Sequence, residues 1–248
     1  MLKRIFSVGL LALLTLIMAA SPATAQQAKE TVVAENAKDQ AERSQKAAEV
    51  LTEIMNIPDD AIPEELMARA HGIAVIPHVV KGAFGLGGQW GKGLMAQRRE
   101  DGSWGTPAFV QIGGGSFGFQ IGVQATDVVL VFTDESGIKG LLDGKLKLGA
   151  DASATAGPVG RKAEVGTDVL LRSGIFAYSR SKGLFAGVSL DGSVVSIDDS
   201  GNRKAYGKEV TGEQVLLGKA VRSNSVVDPF LKALQKVSPA HVHTKKAS

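Results

Sequence analysis

The feature that most constrains this chain is where its glycines stand. All of the thirty glycines except Gly9 lie at or beyond Gly72. A glycine inside a helix costs about 1 kcal/mol relative to alanine, whereas in turns and at close backbone approaches it is favoured. The chain is therefore split at His71-Gly72 into a part that can be helical and a part that must be rich in strands and turns. It has no cysteine, so no disulfide framework holds these parts together and a packed core must. A chain of this length can supply one, because a domain of about 220 residues buries about 70% of its unfolded surface.

Residues 26–69 read as helical. Ala37, Ala41, Ala48, Leu51 and Met55, with Val50 and Ile54 beside them, recur at three- and four-residue steps, and charged residues fill the gaps. Pro58 ends this helix, and Pro63 opens a short second one with Glu64 and Glu65 in its first turn. Beyond Gly72 the expected strands are Ile73–Ile76 (stopped by Pro77), Ala83–Gln89, Gly93–Arg98, Ala108–Ile112, Phe117–Gln124 and Val128–Thr133. Asp101-Gly102 signals a hairpin. Ile138–Leu142 suits one or two helical turns, and Lys147–Gly157 alternates like a strand of very small residues. Further strands are Ile175–Ser179, Leu184–Leu190 and Val194–Ile197, followed by a turn at Asp198–Asn202. Lys208–Gly218 and Asp228–Val237 suit closing helices, and Ser238–Ser248 a frayed tail. The expected fold is α+β: a glycine-rich, mainly antiparallel barrel-like or sandwich structure with N-terminal helices and short C-terminal helices. As domains, 26–237 form one unit, with a helical segment 26–69, a β-rich core 70–206 and closing helices 208–237. Gly72-Ile73 leads to Lys81-Gly82-Ala83-Phe84 much as Gly174-Ile175 leads to Lys182-Gly183-Leu184-Phe185, an echo that fits a duplicated β unit or coincidence.

Residues 1–25 have the pattern of an export signal. Lys3 and Arg4 precede the apolar run Gly9–Ala20, and Ala23-Thr24-Ala25 supplies a cleavage site before Gln26. The run is short for a bilayer span, and no second hydrophobic segment of that length follows. Periplasmic localisation, with peripheral membrane association, is the expectation. Losing two basic residues and no acid takes the net charge from +3 to +1, too little for the dense basic field that nucleic-acid binding needs.

Motifs that invite an enzymatic reading lack their context. Gly114-Gly115-Ser116-Phe117-Gly118 fits the nucleophile elbow, but strand-like residues follow it, and the only later histidines are His241 and His243 near the C-terminus. Gly113, Gly115 and Gly118 fit a dinucleotide fingerprint, again without the helix it requires. His71 and His78 find no further ligand at metal-binding spacing, and Asp59-Asp60, Asp134-Glu135 and Asp198-Asp199 sit in turn-like stretches. Neither catalysis, nor a metal, nor a cofactor is expected.

An ordered set of strings carries a resemblance to a known family. It runs from Ala70-His71-Gly72-Ile73-Ala74-Val75-Ile76-Pro77 through Lys81-Gly82-Ala83-Phe84-Gly85-Leu86-Gly87-Gly88 and Gly91-Lys92-Gly93. Trp104-Gly105-Thr106-Pro107, Gly114-Gly115-Ser116-Phe117-Gly118-Phe119 and Leu148-Gly149-Ala150-Asp151 follow. Gly157-Pro158-Val159-Gly160-Arg161 and Tyr178-Ser179-Arg180-Ser181-Lys182-Gly183-Leu184-Phe185 close the series. Collinear from about Ala47 to Leu217, the chain resembles the SYLF domain, a lipid-binding module also called the actin-patch domain. The resemblance implies helices packed on glycine-rich β structure and no catalytic activity. It also implies lipid binding, since eukaryotic members bind phosphoinositides and some bind actin. For an exported bacterial chain actin is not the expected partner, and anionic phospholipids take the place of phosphoinositides. An envelope protein partner without a lipid ligand is the alternative.

Two surfaces could serve lipid binding. One is a headgroup site of Arg161, Lys162, Arg180 and Lys182, with Lys81, where the turn Gly157–Arg161 offers backbone N–H groups beside a guanidinium. Each of these side chains could equally be a solvated surface charge. The other is a membrane-facing helix carrying Arg43, Lys46, Val50, Leu51 and Ile54. Its apolar face could instead pack on the core.

Overall fold

The computed structural model describes residues 22–57, 62–84, 86–116, 122–160, 174–181, 184–207, 209–218 and 221–238. The expected signal segment thus lies outside the described residues up to residue 21. Helix α1 spans Pro22–Asn56, and the expected cleavage point after Ala25 falls in its first turn. Proline heads α1, and the next proline, Pro58, stands just beyond its end. Gln40, Ser44, Ala47, Leu51 and Ile54 recur at three- and four-residue steps and are all buried. Helix α2 (Glu64–Arg69) follows Pro63 and buries Leu66 and Met67.

Among the described residues nine strands form one sheet: β1 (Gly72–Phe84), β2 (Leu86–Gln97), β3 (Ala108–Ser116), β4 (Gly122–Phe132), β5 (Lys145–Lys147), β6 (Ala154–Ala156), β7 (Ile175–Ser181), β8 (Leu184–Gly187) and β9 (Ser193–Ile197). The spatial order is β5-β9-β3-β2-β1-β4-β7-β6, with β8 paired to β7. Every pairing is antiparallel except β6 with β7. Between strands and after them come α3 (Glu135–Leu142), α4 (Asp199–Tyr206), α5 (Gly212–Leu216) and α6 (Asp228–Val237).

Of the two expected forms it is the barrel-like one that results: the single, mainly antiparallel sheet curls into a half-barrel. Its curl follows from one short connection. Lys147 ends an edge strand and Ala154 begins a strand at the opposite end of the order. Seven residue steps reach at most about 25 Å, so the two edges must approach. Leu148 and Ala152 bridge across this link, and Ile175 N–H donates to Ser153 O at 3.1 Å. The expected single strand Lys147–Gly157 is therefore two strands, interrupted at Gly149, whose φ is +88°.

Both faces of the sheet are covered in one half. Ile73–Ile76 and Val128–Phe132 are wholly buried, which is why those stretches read as unbroken apolar runs. On the helix side, Ile73, Val75, Leu94, Phe109, Val129 and Tyr178 pack against α1, α2 and α6. On the inner side, Ile76, Met95, Val110, Leu130 and Phe132 pack with Ile138 of α3 and Val215 of α5.

Several boundaries differ from the sequence reading. Pro77 does not stop β1. The strand passes it as a bulge, with pairing shifted on both flanks and His78 at φ +54°; His78 N–H donates to Asp127 Oδ1 at 3.0 Å. The bulge presses on β2 at Gly93, where a Cβ would stand 2.1 Å from Val75 O, so only glycine fits. Expected strand Ala83–Gln89 contains the real hairpin turn, since Phe84 pairs with Leu86. Most of Phe117–Gln124 falls outside the described residues. Asp198–Asn202 is the start of α4, with Asp198 as N-cap accepting from Gly201 N–H. Of the helix expected over Lys208–Gly218, Gly212–Leu216 is helical, opened by the capping box of Thr211 and Gln214. Asp101-Gly102 does turn between β2 and β3, with Gly102 at φ +79°.

Candidate functional site

The turns joining β1 to β2, β3 to β4 and β7 to β8 all lie at one end of the sheet. The half next to these turns, the turn end, holds the exposed apolar surface. Among the described residues, the exposed large hydrophobics are Val80, Trp90, Val159, Leu184 and Leu217. Val80, Trp90 and Leu184 lie in this half, and Val159 follows β6 towards it. Leu217 lies in the other half, beside the start of β1.

Trp90 is 55% exposed and is paired with Val80, which is 41% exposed. Alternation along β2 puts Trp90 and Lys92 on the same face as Leu94, the helix side, but beyond the cover of α1. In register beside Trp90 and Val80 stand Gly113 and Ala125, and the next row holds Gly115, Gly88 and Gly82. A Cβ at Gly82 would meet nothing within 4 Å, and at Gly88 or Gly113 only a carbonyl oxygen at 3.8 or 3.9 Å. Among the described neighbours of the indole on this face, apart from Val80 and Lys92, the residues are thus glycine or alanine. Leu184, at the β7–β8 turn, is 78% exposed.

Cations border this surface. Lys92 Nζ lies 5.8 Å from the Trp90 ring centroid and 2.9 Å from Asp198 Oδ2. Lys145 and Lys147, both exposed, share its face by register through β9 and β3. Asp198 also meets Arg43 Nη1 at 3.2 Å, and Arg43 covers the Phe109 ring at 5.5 Å. Burial raises the Asp198 pKa, but the Lys92 hydrogen bond, the Gly201 N–H and the charges of Lys92 and Arg43 outweigh it. The carboxyl is held below its ordinary range.

The expected site residues divide. Arg161, Lys162 and Lys182 lie outside the described residues. Arg180 stands on β7 at the turn end but is already engaged: its Nε and Nη2 donate to Asp127 Oδ2 at 3.1 and 2.8 Å, and its Nη1 pairs with Glu53 of α1. It fastens α1 to the sheet and is not an open headgroup ligand. Lys81 is partly exposed on the inner face.

The membrane-facing helix is corrected. Val50, Leu51 and Ile54 are buried against the sheet and α6. Arg43 is held by Asp198, and Lys46 pairs with Glu42 at 2.7 Å one turn away. A face already buried in the core is not available to a bilayer. The surface the sequence reading missed is Trp90 with Val80. Its signal was present in Gly87-Gly88-Gln89-Trp90-Gly91, a large aromatic whose register neighbours are too small to cover it.

Ser116 ends β3 and Gly122 opens β4; residues 117–121, where the nucleophile elbow would continue, lie outside the described residues. Among the described residues no three His, Asp or Glu gather as metal ligands, and no helix is long and apolar enough to cross a membrane.

Residues 113–237, from β3 to α6, match the Ysc84 family, described as "Las17-binding protein actin regulator". The chain belongs to the Ysc84 (SYLF) family. Among the SYLF proteins it resembles, LAS seventeen-binding protein 3 of Saccharomyces cerevisiae is 36% identical over 180 residues, 71% of this chain and 39% of that protein. Protein YSC84 of the same yeast is 36% identical over 196 residues, 77% of this chain and 42% of the relative. The human SH3 domain-containing YSC84-like protein 1 is 32% identical over 198 residues, 79% and 58% respectively. The chain thus spans about half the length of these SYLF relatives. The family description and the name of the first of these relatives are those of a binding or regulatory protein.

Proposed function

We propose that this chain is a non-catalytic lipid-binding module of the bacterial envelope, docking on anionic phospholipid headgroups through the turn end of its sheet. The observation that carries the reading is Trp90, 55% exposed beside Val80 on a glycine-paved face bordered by lysines. Tryptophan suits a headgroup boundary, having an apolar body and a polar N–H. Fully burying side chains of this size is worth about 1.5–3 kcal/mol each. A cation near an anionic surface adds about 1 kcal/mol. Such sums give reversible, salt-sensitive attachment rather than insertion. The export pattern of residues 1–25 supports a periplasmic location with cleavage after Ala25, which the N-terminal sequence of the protein recovered from a periplasmic fraction tests.

The docking test is co-sedimentation of the protein with vesicles of phosphatidylcholine alone or with added phosphatidylglycerol or cardiolipin, at low and moderate salt. Binding to the anionic mixtures alone, weakened by salt, is expected, with a blue shift of tryptophan emission from Trp90, since Trp104 is already buried. A chain that stays in the supernatant with every mixture has no such function. A second reading is a protein partner, which the relatives' names favour, since they speak of Las17 binding. Recovery of one stoichiometric envelope protein, without vesicle binding, is its expected outcome.

A further inference from the structure

On the inner face of the turn end, behind Trp90, five side chains share one surface. Lys81 is paired in register with Gln89 on β2 and Gln124 on β4. Thr126 stands next to Gln124 on that face, and Ser193 of β9 reaches it across Gly114. Gln89 Nε2 donates to Ser193 Oγ, and Gln124 Nε2 donates to Ser181 Oγ at 3.0 Å. Each serine therefore accepts from an amide and keeps its own O–H proton to give, and each amide keeps a second N–H.

The group is rich in donors. Thr126 is only 7% exposed, and its Oγ1 has no hydrogen-bond partner. A buried hydroxyl left unmade costs about 1–3 kcal/mol, so its presence asks for a reason. No carboxylate among the described residues lies within ion-pairing distance of Lys81. One ammonium and several spare N–H and O–H donors, without a competing acid, fit a tetrahedral oxyanion. We infer that Lys81, Gln124 and Thr126, neighbours by register on β1 and β4, form a binding site for one phosphate group. The group can come from a phospholipid headgroup or from free phosphate. The site deepens the docking reading and rests on it only for the headgroup as source.

The test titrates the full chain with inorganic phosphate and with glycerol 3-phosphate, following the amide and side-chain NMR signals of these residues. Shifts centred on Lys81, Gln124 and Thr126 are expected. Lys81→Gln should weaken binding by about tenfold, the scale of a hydrogen bond to a charged group. Thr126→Val should weaken it several-fold without lowering the thermal midpoint, because the hydroxyl it removes has no partner in the unliganded fold. A preference for glycerol 3-phosphate points to the headgroup, and equal affinity to free phosphate. Absence of shifts, or shifts indifferent to both substitutions, overturns the site. If vesicles still bind in that case, the docking reading stands and only the phosphate site falls. Phosphate binding without vesicle binding leaves the site and removes the docking.

Discussion

At the end of the sheet where β1 starts and β2 finishes, Arg98 and Trp104 are committed to the protein itself. Arg98 donates to Ala70 O at 2.9 Å, Gly102 O at 2.9 Å and Met67 O at 3.2 Å, and lies 4.3 Å over the Trp104 ring. Trp104 Nε1 donates to Ser238 O at 2.9 Å, while Ser238 Oγ accepts from Arg98 and donates to Met67 O at 2.9 Å. Ser238, expected to begin a frayed tail, is thus fastened; 239–248 lie outside the described residues. At the turn end the same strands carry the second indole, Trp90, on bare glycine, with no such clasp. One tryptophan closes the fold and the other is exposed on its surface. The contrast teaches that similar residues in one sheet are buried or left exposed according to whether a loop or helix returns to cover them. The covered end also has a cleft of about 1060 Å³, whose border mixes Arg69 and Arg99 with Glu100 and Glu135 and so favours neither charge.

If the two ends are as different as this, substitutions should separate cleanly. Trp104→Ala should cost about 3–5 kcal/mol in urea unfolding, as for other buried large-to-small changes, while vesicle binding per folded molecule stays unchanged. A large loss of binding by the folded fraction would break the division. Asp198, between the two ends, should come next. Its carboxyl pKa is depressed in the fold, so its stabilisation is present above the unfolded value near 3.8 and is lost as pH falls through the lower folded value. Unfolding midpoints should drop below about pH 4, and Asp198→Asn should flatten that drop while lowering stability at neutral pH.

Trp90→Ala should show the opposite pattern to Trp104→Ala. Stability should change by about 0.5 kcal/mol or less, as for surface positions, and affinity for phosphatidylglycerol vesicles should fall about tenfold, the worth of roughly half a buried indole. Equal loss of stability would mean that Trp90 is part of the core after all. Lys46→Gln marks the floor of the series. Its pair with Glu42 is exposed on both sides, so no resolvable change in the unfolding midpoint is expected, and vesicle binding should not move unless α1 meets the membrane.

Much of the architecture could be read from residues alone, because its causes are local. A glycine-free stretch ending before Pro58 makes α1, apolar runs such as Val128–Phe132 make strands buried on both faces, and Asp101-Gly102 makes its turn. The passage of β1 through Pro77 could not be read, since the bulge is tolerated only because Gly93 on the neighbouring strand leaves room for it. Nor could the ion pairs of Asp198, whose partners Lys92 and Arg43 arrive from β2 and α1.

The candidate site shows the same boundary. By itself the sequence determined that the chain is helical before His71 and glycine-rich β beyond it, that it resembles the SYLF family, and which cations could meet an anion. Only the tertiary structure decided that Val50, Leu51 and Ile54 lie in the core, that Arg180 is spent on Asp127 and Glu53, and that Trp90 is left bare. Amphipathic spacing and charge are local properties, and they mark a face as apolar or basic without naming what covers it. Coverage and ion pairing arise from residues more than fifty positions apart, as in Arg180 with Asp127 or Arg43 with Asp198, and no local pattern records them.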